Sequence, residues 1–131
     1  MNKRRNGFTV IELLFIIVLL GTASVLFFVQ RENVVVAAHD TERKTAINAM
    51  YYSLEEVFYT KNQYYPLTIS GEVLPSVDPA LFTDPSGNEF GTPSSEYRYE
   101  PTNCDGDKCK SYTLRTTLQG EAEYVKTSQQ N

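Results

Sequence analysis

The amino-terminal part of the chain carries a long and nearly uninterrupted run of apolar residues. Between residues 8 and 29 the only charged side chain is that of Glu12. At about 1.5 Å of rise per residue, a helix over this run would cross the roughly 30 Å hydrocarbon core of a bilayer. We therefore predict a transmembrane helix over residues 8–29.

The polar residues ahead of the run predict its orientation. Lys3, Arg4 and Arg5 precede the apolar residues, and no acidic residue accompanies them. Cations beside a membrane segment favour retention of that end in the cytoplasm. Residues 30–131 are then expected to be exported.

After the apolar run, the hydrophobic positions change to a helical spacing. They recur every three or four residues, which places them on one face of an amphipathic helix: Ile47, Met50, Tyr51, Leu54, Val57 and Phe58. Because no proline interrupts the stretch, the pattern predicts one helix from about Phe8 to about Lys61. Most polar residues are expected off the apolar face: Asp40, Arg43, Lys44, Asn48, Glu55 and Glu56. Asp40 and Lys44 have the spacing of an i,i+4 ion pair.

A loop and a group of short strands are expected after this helix. The residue before Pro66 is driven out of the helical conformation, and prolines and glycines recur through residues 62–95. Within that loop, Asp84–Asn88 has the composition of a tight turn, and a single helical turn is expected near Val77–Leu81. Residues 96–127 contain three strand candidates: Tyr97–Glu100, Ser111–Leu118 and Glu121–Thr127, the last two joined by a hairpin turn at Gln119–Gly120.

The apolar face of these strands must be covered, and the face at residues 47–58 of the helix is available to cover it. The predicted class is therefore α+β. In this arrangement a long N-terminal helix, half transmembrane and half amphipathic, packs at its C-terminal half on a small antiparallel β-sheet.

Charge and motif content narrow the function. From Gln30 onward the chain has nine basic and fifteen acidic residues, a formal net charge of −6, which disfavours bulk attraction to nucleic acid or anionic lipid. His39 is the single histidine, and the sequence contains no nucleophile–base or phosphate-binding motif. Enzymatic activity and a bound cofactor are therefore not expected.

Glu12 is the unusual residue of the apolar run. A carboxylate in such a segment costs about 2–3 kcal/mol on insertion scales, so it is usually paired or functional. Two interpretations remain open. Glu12 is close enough to the start of the run to reach the lipid headgroups, or it pairs with the free amino group of a neighbouring copy that has been cut before Phe8.

The stretch Gly7-Phe8-Thr9-Val10-Ile11-Glu12-Leu13-Leu14 resembles the start of a type IV pilin or a type II secretion pseudopilin. The Tyr65-Pro66 pair and the Asp84–Asn88 turn are similar to the pattern of the same family. The resemblance implies that residues 1–7 are a class III leader, removed by prepilin peptidase between Gly7 and Phe8. It also implies that Phe8 carries the new, usually N-methylated amine, and that Glu12 pairs with this amine on a neighbouring subunit to set the assembly register.

The resemblance further implies where the protein is located and how it assembles. It would be a single-pass precursor in the cytoplasmic membrane, surrounded by lipid, and then part of a helical homo-oligomeric filament on the cell surface. The filament would serve adhesion, motility or DNA uptake, with residues 30–131 as its exported pilin domain. An assembly ATPase and a membrane platform protein are the implied partners. Many pilins kink at a proline late in the membrane segment; here that proline is missing, and Gly21 is the expected weak point.

Three alternatives stay open at the level of sequence. Within the family, the chain would be a pseudopilin of a type II secretion or competence system. In another functional class, it would be a single-pass membrane anchor that presents a small binding domain. The apolar run would otherwise be a secretory signal cleaved near Gly21–Ser24.

The two cysteines lie close together in the exported part. Cys104 and Cys109 are separated by four residues, and a close pair in an exported domain is typical of a disulfide that closes a surface loop. Asp105 and Asp107 offer hard oxygen ligands of the kind Ca²⁺ takes, but two carboxylates are an incomplete set, so no metal site is expected.

A small basic cluster lies near the cysteines, formed by Lys108, Lys110 and Arg115. Repeated along a filament, it would offer several phosphate contacts to DNA. Its more ordinary interpretation is that charges protect the edge of a sheet.

Overall fold

The computed structural model describes residues 7–130 and divides the chain into two units, Met1–Val35 and Val36–Asn131. The predicted leader, with Lys3, Arg4 and Arg5, lies outside the described residues except for Gly7. Helix α1, Val10–Tyr52, begins in the first unit and ends in the second. Each unit is described by itself below.

The first unit is the apolar part of α1. The helix begins two residues later than predicted, at Val10, because the side chain of Thr9 accepts a hydrogen bond from the Glu12 backbone N–H at 3.3 Å and caps the helix. Every described residue of this unit is exposed to solvent. The segment is long and apolar enough to cross a membrane.

The helix continues without interruption through Gly21, where the sequence predicts a weak point. Two hydroxyls just after this residue bind carbonyls just before it: Thr22 donates to the Leu19 carbonyl at 3.0 Å, and Ser24 donates to the Leu20 carbonyl at 2.7 Å. Such bonds satisfy the side chains within the helix and slightly weaken it locally.

In the second unit, the end of the helix changes its winding. A π-helical segment covers Ser53–Tyr59, helix α2 covers Thr60–Asn62, and the helical region ends at Gln63, which has a left-handed φ of 62°. The predicted end near Lys61 is confirmed. The wider winding was not predicted, and the segment contains neither proline nor glycine to signal it.

The π-helical segment changes which residues face the core, because side chains five apart rather than four apart then lie above one another. Ile47, Met50 and Leu54 are fully buried, as predicted. The prediction is wrong for Val57, which is half exposed, and for Glu55, which is buried.

Four antiparallel strands form one sheet: β1 Tyr65–Pro66, β2 Tyr97–Asp105, β3 Lys108–Thr116 and β4 Tyr124–Thr127. Strand β3 is central, since β2 pairs along one side of it and β1 and β4 pair on the other. Strands β2 and β3 extend toward each other beyond the predicted limits and meet in a hairpin. Strand β1 was not predicted.

The connection between β3 and β4 differs from the predicted hairpin turn. Residues 117–123 form a longer loop that turns toward the helix, where the backbone N–H groups of Gln119 and Gly120 donate to Asp40 at 2.9 and 2.8 Å. A Cβ at Gly120 would lie 3.3 Å from the Asp40 carboxylate, so glycine permits this close approach.

The core lies between α1 and the sheet. Helix residues Ile47, Met50 and Leu54 pack with Tyr112 and Leu114 of β3. The long loop adds buried side chains to the same cluster: Ile69, Leu74, Val77 and Phe82. A short 3₁₀ helix at Pro79–Phe82 takes the place of the expected helical turn. The α+β class, with the C-terminal part of the long helix on a small antiparallel sheet, is confirmed.

The predicted ion pair between Asp40 and Lys44 is wrong. Asp40 instead binds Arg43, at 2.9 Å, together with the two loop amides. Lys44 reaches the loop and pairs with Glu121 at 2.7 Å. Asp40 and Lys44 therefore both hold the 117–123 loop against the helix, and they do not pair with each other.

Candidate functional site

The polar side chains of interest in the first unit lie at the start of α1. Thr9-Val10-Ile11-Glu12 has the spacing of a capping box, with threonine before the first helical residue and glutamate at the third. The partial positive charge of the helix N-terminus also favours a carboxylate at this position. The helix therefore supplies some stabilisation of Glu12 by itself. The Thr-x-x-Glu spacing is the sequence signal for this cap.

Gly7 and Phe8 precede the helix and are accessible. The Phe8 side chain keeps 73% of its surface exposed. A Cβ added at Gly7 would meet no other atom within 4 Å, apart from its own neighbours in the chain. Nothing in the packing of residues 7–130 therefore demands glycine at this position.

The cysteine pair forms the predicted disulfide. Cys104 in β2 and Cys109 in β3 are directly opposite residues of the hairpin, with their Cα atoms 3.9 Å apart. Cys109 is buried in the core cluster, whereas Cys104 is exposed. The bridge therefore closes the hairpin and attaches its tip to the core.

The two aspartates of the hairpin flank Gly106, which has a φ of 60°. Asp105 and Asp107 are exposed there. Within residues 7–130, no three His, Cys, Asp or Glu side chains are placed to hold a metal ion together.

The three residues of the predicted basic cluster have different partners. Arg115 pairs with Glu100 and, at 3.8 Å, with Glu123. Lys108 lies over the Tyr64 ring, 5.2 Å from its centroid. Lys108 and Lys110 remain close to the disulfide hairpin, but the charge of Arg115 is balanced by the two carboxylates.

A buried arginine joins the helix to the start of β2. The Arg43 side chain is fully buried and binds Asp40 on its own helix and Glu96 just before β2. Hydrogen bonds from the Gln119 backbone, and then from Gly120 and Arg43, hold the pKa of Asp40 below its ordinary value of 3.8 despite burial. Within residues 7–130, the Arg43 Nη2 atom has no hydrogen-bond partner.

The Asp84–Asn88 turn is confirmed, and its first residue is buried. The Asp84 carboxylate accepts hydrogen bonds from the backbone N–H groups of Ser86, Asn88 and Glu96, at 2.9 to 3.0 Å. Burial by itself would raise the pKa of Asp84, but these hydrogen bonds outweigh burial and hold the pKa below 3.8. The turn therefore fixes the long loop to the start of β2.

The buried Glu55 is the centre of a second polar network, which the sequence did not reveal. Its carboxylate accepts hydrogen bonds from the hydroxyls of Tyr65 and Tyr112, at 2.8 and 2.7 Å, and from the Gln129 backbone N–H at 3.2 Å. Burial, followed by these bonds to Glu55, raises the pKa of both phenols well above 10.0. Glu55 thus ties the π-helical segment to β1, to β3 and to residues 128–130.

Comparison of the chain with protein-family models, with curated proteins and with solved structures finds no match.

Proposed function

We propose that this chain is the structural subunit of a type IV pilus-like filament. The precursor is held in the cytoplasmic membrane, cut between Gly7 and Phe8, and polymerised through its apolar helix. The observation that carries the proposal is an accessible Gly7–Phe8 junction directly before an exposed apolar helix whose first turn holds a single carboxylate, Glu12.

The exposed apolar helix requires a partner. All of the chain from Val10 to Val35 is exposed, and the large apolar side chains there keep between about a third and three quarters of their surface accessible. An apolar surface of this extent is stable only in lipid or against other apolar surfaces. Lipid fills that need for the precursor, and identical helices of other copies fill it after assembly.

Cleavage supplies a charge partner for Glu12. A cut before Phe8 makes Glu12 the fifth residue of the shortened chain and creates an amine on Phe8. Two charges that are each costly in an apolar surrounding stabilise each other when they meet. Pairing of Glu12 with the Phe8 amine of a neighbouring copy then fixes how far one helix is shifted along the next.

The glycine at position 7 supports processing by an external enzyme. No other atom of the described chain lies near a Cβ at this residue, so the junction is open to an enzyme. Prepilin peptidase is the enzyme that we propose for this step, and Phe8 is the site that we propose for N-methylation. An assembly ATPase and a membrane platform protein would then drive polymerisation.

The second unit suits the surface of such a filament. It has its own core, and its Cys104–Cys109 bridge is of the kind that persists outside the cytoplasm. Adhesion, motility and DNA uptake are the uses that we propose for the filament. DNA contact would fall to Lys108 and Lys110, since Arg115 is paired with Glu100 and Glu123.

One observation favours a second candidate, a single-pass anchor that presents a binding domain. Thr9 caps the helix through the Glu12 backbone N–H, and the helix dipole favours a carboxylate in this first turn even in an isolated helix. On this alternative Glu12 needs no partner, the junction stays uncut, and the chain is monomeric in detergent. A pseudopilin of a secretion or competence system remains the alternative within the filament class.

A Glu12→Ala variant distinguishes filament from anchor. Removing the carboxylate removes the register pair, whose members cost about 2–3 kcal/mol when unpaired, so we expect filament yield to fall by roughly tenfold or more. Glu32→Ala is the matched control, since it removes an exposed acid of the same helix beyond the predicted membrane segment. The measurement is the amount of subunit sheared from the cell surface, normalised to the subunit in the membrane fraction. Equal yields for both variants would contradict the role given to Glu12.

A further inference from the structure

The disulfide hairpin takes part in a polar cleft of about 410 Å³ on the second unit. This hairpin cleft is lined by Tyr59, Gln63 and Tyr64 at the end of the helical region, by Asn103, Asp105 and Lys108–Lys110 of the hairpin, and by Gln130. Its volume is typical of sites for small ligands. The apolar part of α1 contributes nothing to it, so the inference below does not depend on filament assembly.

Two tyrosine rings in the hairpin cleft are held in place by packing against other aromatic rings. Tyr59 packs on Tyr65 with ring centroids 4.8 Å apart, and Tyr65 is fixed by its hydrogen bond to the buried Glu55. Tyr64 packs edge-on against Phe58, at 5.7 Å. Rigid aromatic faces carry partial negative charge and attract the positively polarised C–H bonds on one face of a sugar ring.

Amide side chains lie beside these rings. Asn103 and Gln130 line the hairpin cleft, and neither side chain makes a hydrogen bond to another part of residues 7–130. Each amide offers both donors and an acceptor, which matches the hydroxyl groups of a saccharide. Asn103 also has a φ of 54°, a conformation that few residues other than glycine adopt.

The charges in the hairpin cleft select the kind of saccharide. Lys108 and Lys110 outnumber the one acid, Asp105, although the exported part of the chain is strongly acidic overall. Across the described residues, no carboxylate lies within ion-pair distance of Lys110. A lysine ammonium forms its strongest hydrogen bonds with an anionic oxygen. Lys108 already lies over the Tyr64 ring, 5.2 Å from its centroid, which leaves Tyr59 as the stacking ring. We propose that the hairpin cleft binds an acidic saccharide, with a sugar-ring face on Tyr59 and the carboxylate on Lys110.

The test uses the full chain in detergent micelles and isothermal titration calorimetry with trigalacturonic acid. Galactotriose, which has the same rings without carboxylates, is the uncharged comparison ligand. Lys110→Gln removes the proposed contact, and Lys126→Gln is the matched control. Lys126 carries the same charge but lies over the Tyr51 and Tyr124 rings, at 5.2 and 5.6 Å, and does not line the cleft.

We expect saturable binding of trigalacturonic acid that is weaker for galactotriose. Lys110→Gln should weaken binding of the acid about tenfold, because one hydrogen bond to a charged group is lost, while Lys126→Gln stays near the wild-type value. Circular dichroism checks that both variants fold. No saturable binding at about 10 mM ligand would overturn the proposal. Equal weakening by the two variants would also overturn it, since bulk charge would then explain binding. Displacement of the saccharide by a lower concentration of a single-stranded oligonucleotide would assign the cleft to a phosphate backbone instead.

Discussion

Glu55 shows how a single buried carboxylate organises three parts of the second unit. Two phenol hydroxyls and a backbone amide converge on it, from residues that lie 10 to 74 positions away in the chain. In a low-dielectric interior a fully bonded carboxylate is stable, whereas its donors become costly when it is removed. Glu55 therefore contributes to stability through its partners as much as through its own bonds.

A Glu55→Gln variant tests this directly. The amide keeps the size of the side chain but has one accepting oxygen instead of two, so at least one donor is left unpaired. We expect the free energy of unfolding to fall by about 1–3 kcal/mol, measured by chemical denaturation in detergent. Glu56→Gln, at the exposed neighbouring residue, should change it little. A Glu55→Gln variant as stable as the control would contradict the account of this network.

Tyr97 is one of the buried phenols that lower the stability of the protein at alkaline pH. Burial, and then the negative charge of Asp84, raises the pKa of Tyr97 from 10.0 to about 12. The folded state thus favours the neutral phenol. Its contribution to stability is complete below pH 10.0 and is lost as the pH rises from 10.0 through about 12.

We therefore expect a Tyr97→Phe variant to lose less stability than the wild type over that pH range. Thermal unfolding at a series of alkaline pH values measures the difference, with the exposed Tyr52→Phe as the control. Parallel loss of stability in all three proteins would show that Tyr97 does not contribute to the fall in stability at alkaline pH.

At the scale of elements, the hairpin between β2 and β3 depends on its covalent bridge. Cys104 and Cys109 are five positions apart, so the closed loop is short and the chain-entropy contribution is about 2 kcal/mol. The double variant Cys104→Ala/Cys109→Ala should lose about that much free energy of unfolding and loosen Lys108 and Lys110. Wild-type protein under reducing conditions should behave like the variant. A loss well beyond that amount, or none, would contradict a stabilisation that comes mainly from closing this short loop.

The elements themselves were largely predictable from local patterns. The helix and the two longest strands follow from the spacing of apolar residues, and Tyr112, Leu114, Thr116 and Leu118 are buried together as their alternation predicts. The two-residue strand β1 is too short to produce such a pattern. The sequence predicts a hairpin turn in place of the 117–123 loop because the carboxylate that holds this loop, on Asp40, is about 80 residues away in the sequence.

The buried polar side chains show the limit of helical periodicity. Asp40, Arg43 and Glu55 were expected off the apolar face, yet all three are buried. Their burial depends on partners from the loop and the sheet, which a helical pattern does not contain. For Glu55 it also depends on the π-helical winding, for which the sequence provides no signal.

At the scale of the whole molecule, the first unit has no core of its own, and the second does. All of the described residues up to Val35 are exposed, and we propose that lipid or other copies cover them. The proposed cut before Phe8 would allow the change from lipid to a filament of other copies, because it creates the amine that we propose as the partner of Glu12.

The most direct test of the filament proposal is mass spectrometry of the N-terminal peptide from material sheared off the cell surface. We predict a peptide that begins at Phe8, with a methyl group on its amine. Surface material that retains residues 1–7, or subunit found only in the membrane fraction with its N-terminus uncut, would contradict the proposal and favour the anchored binding domain.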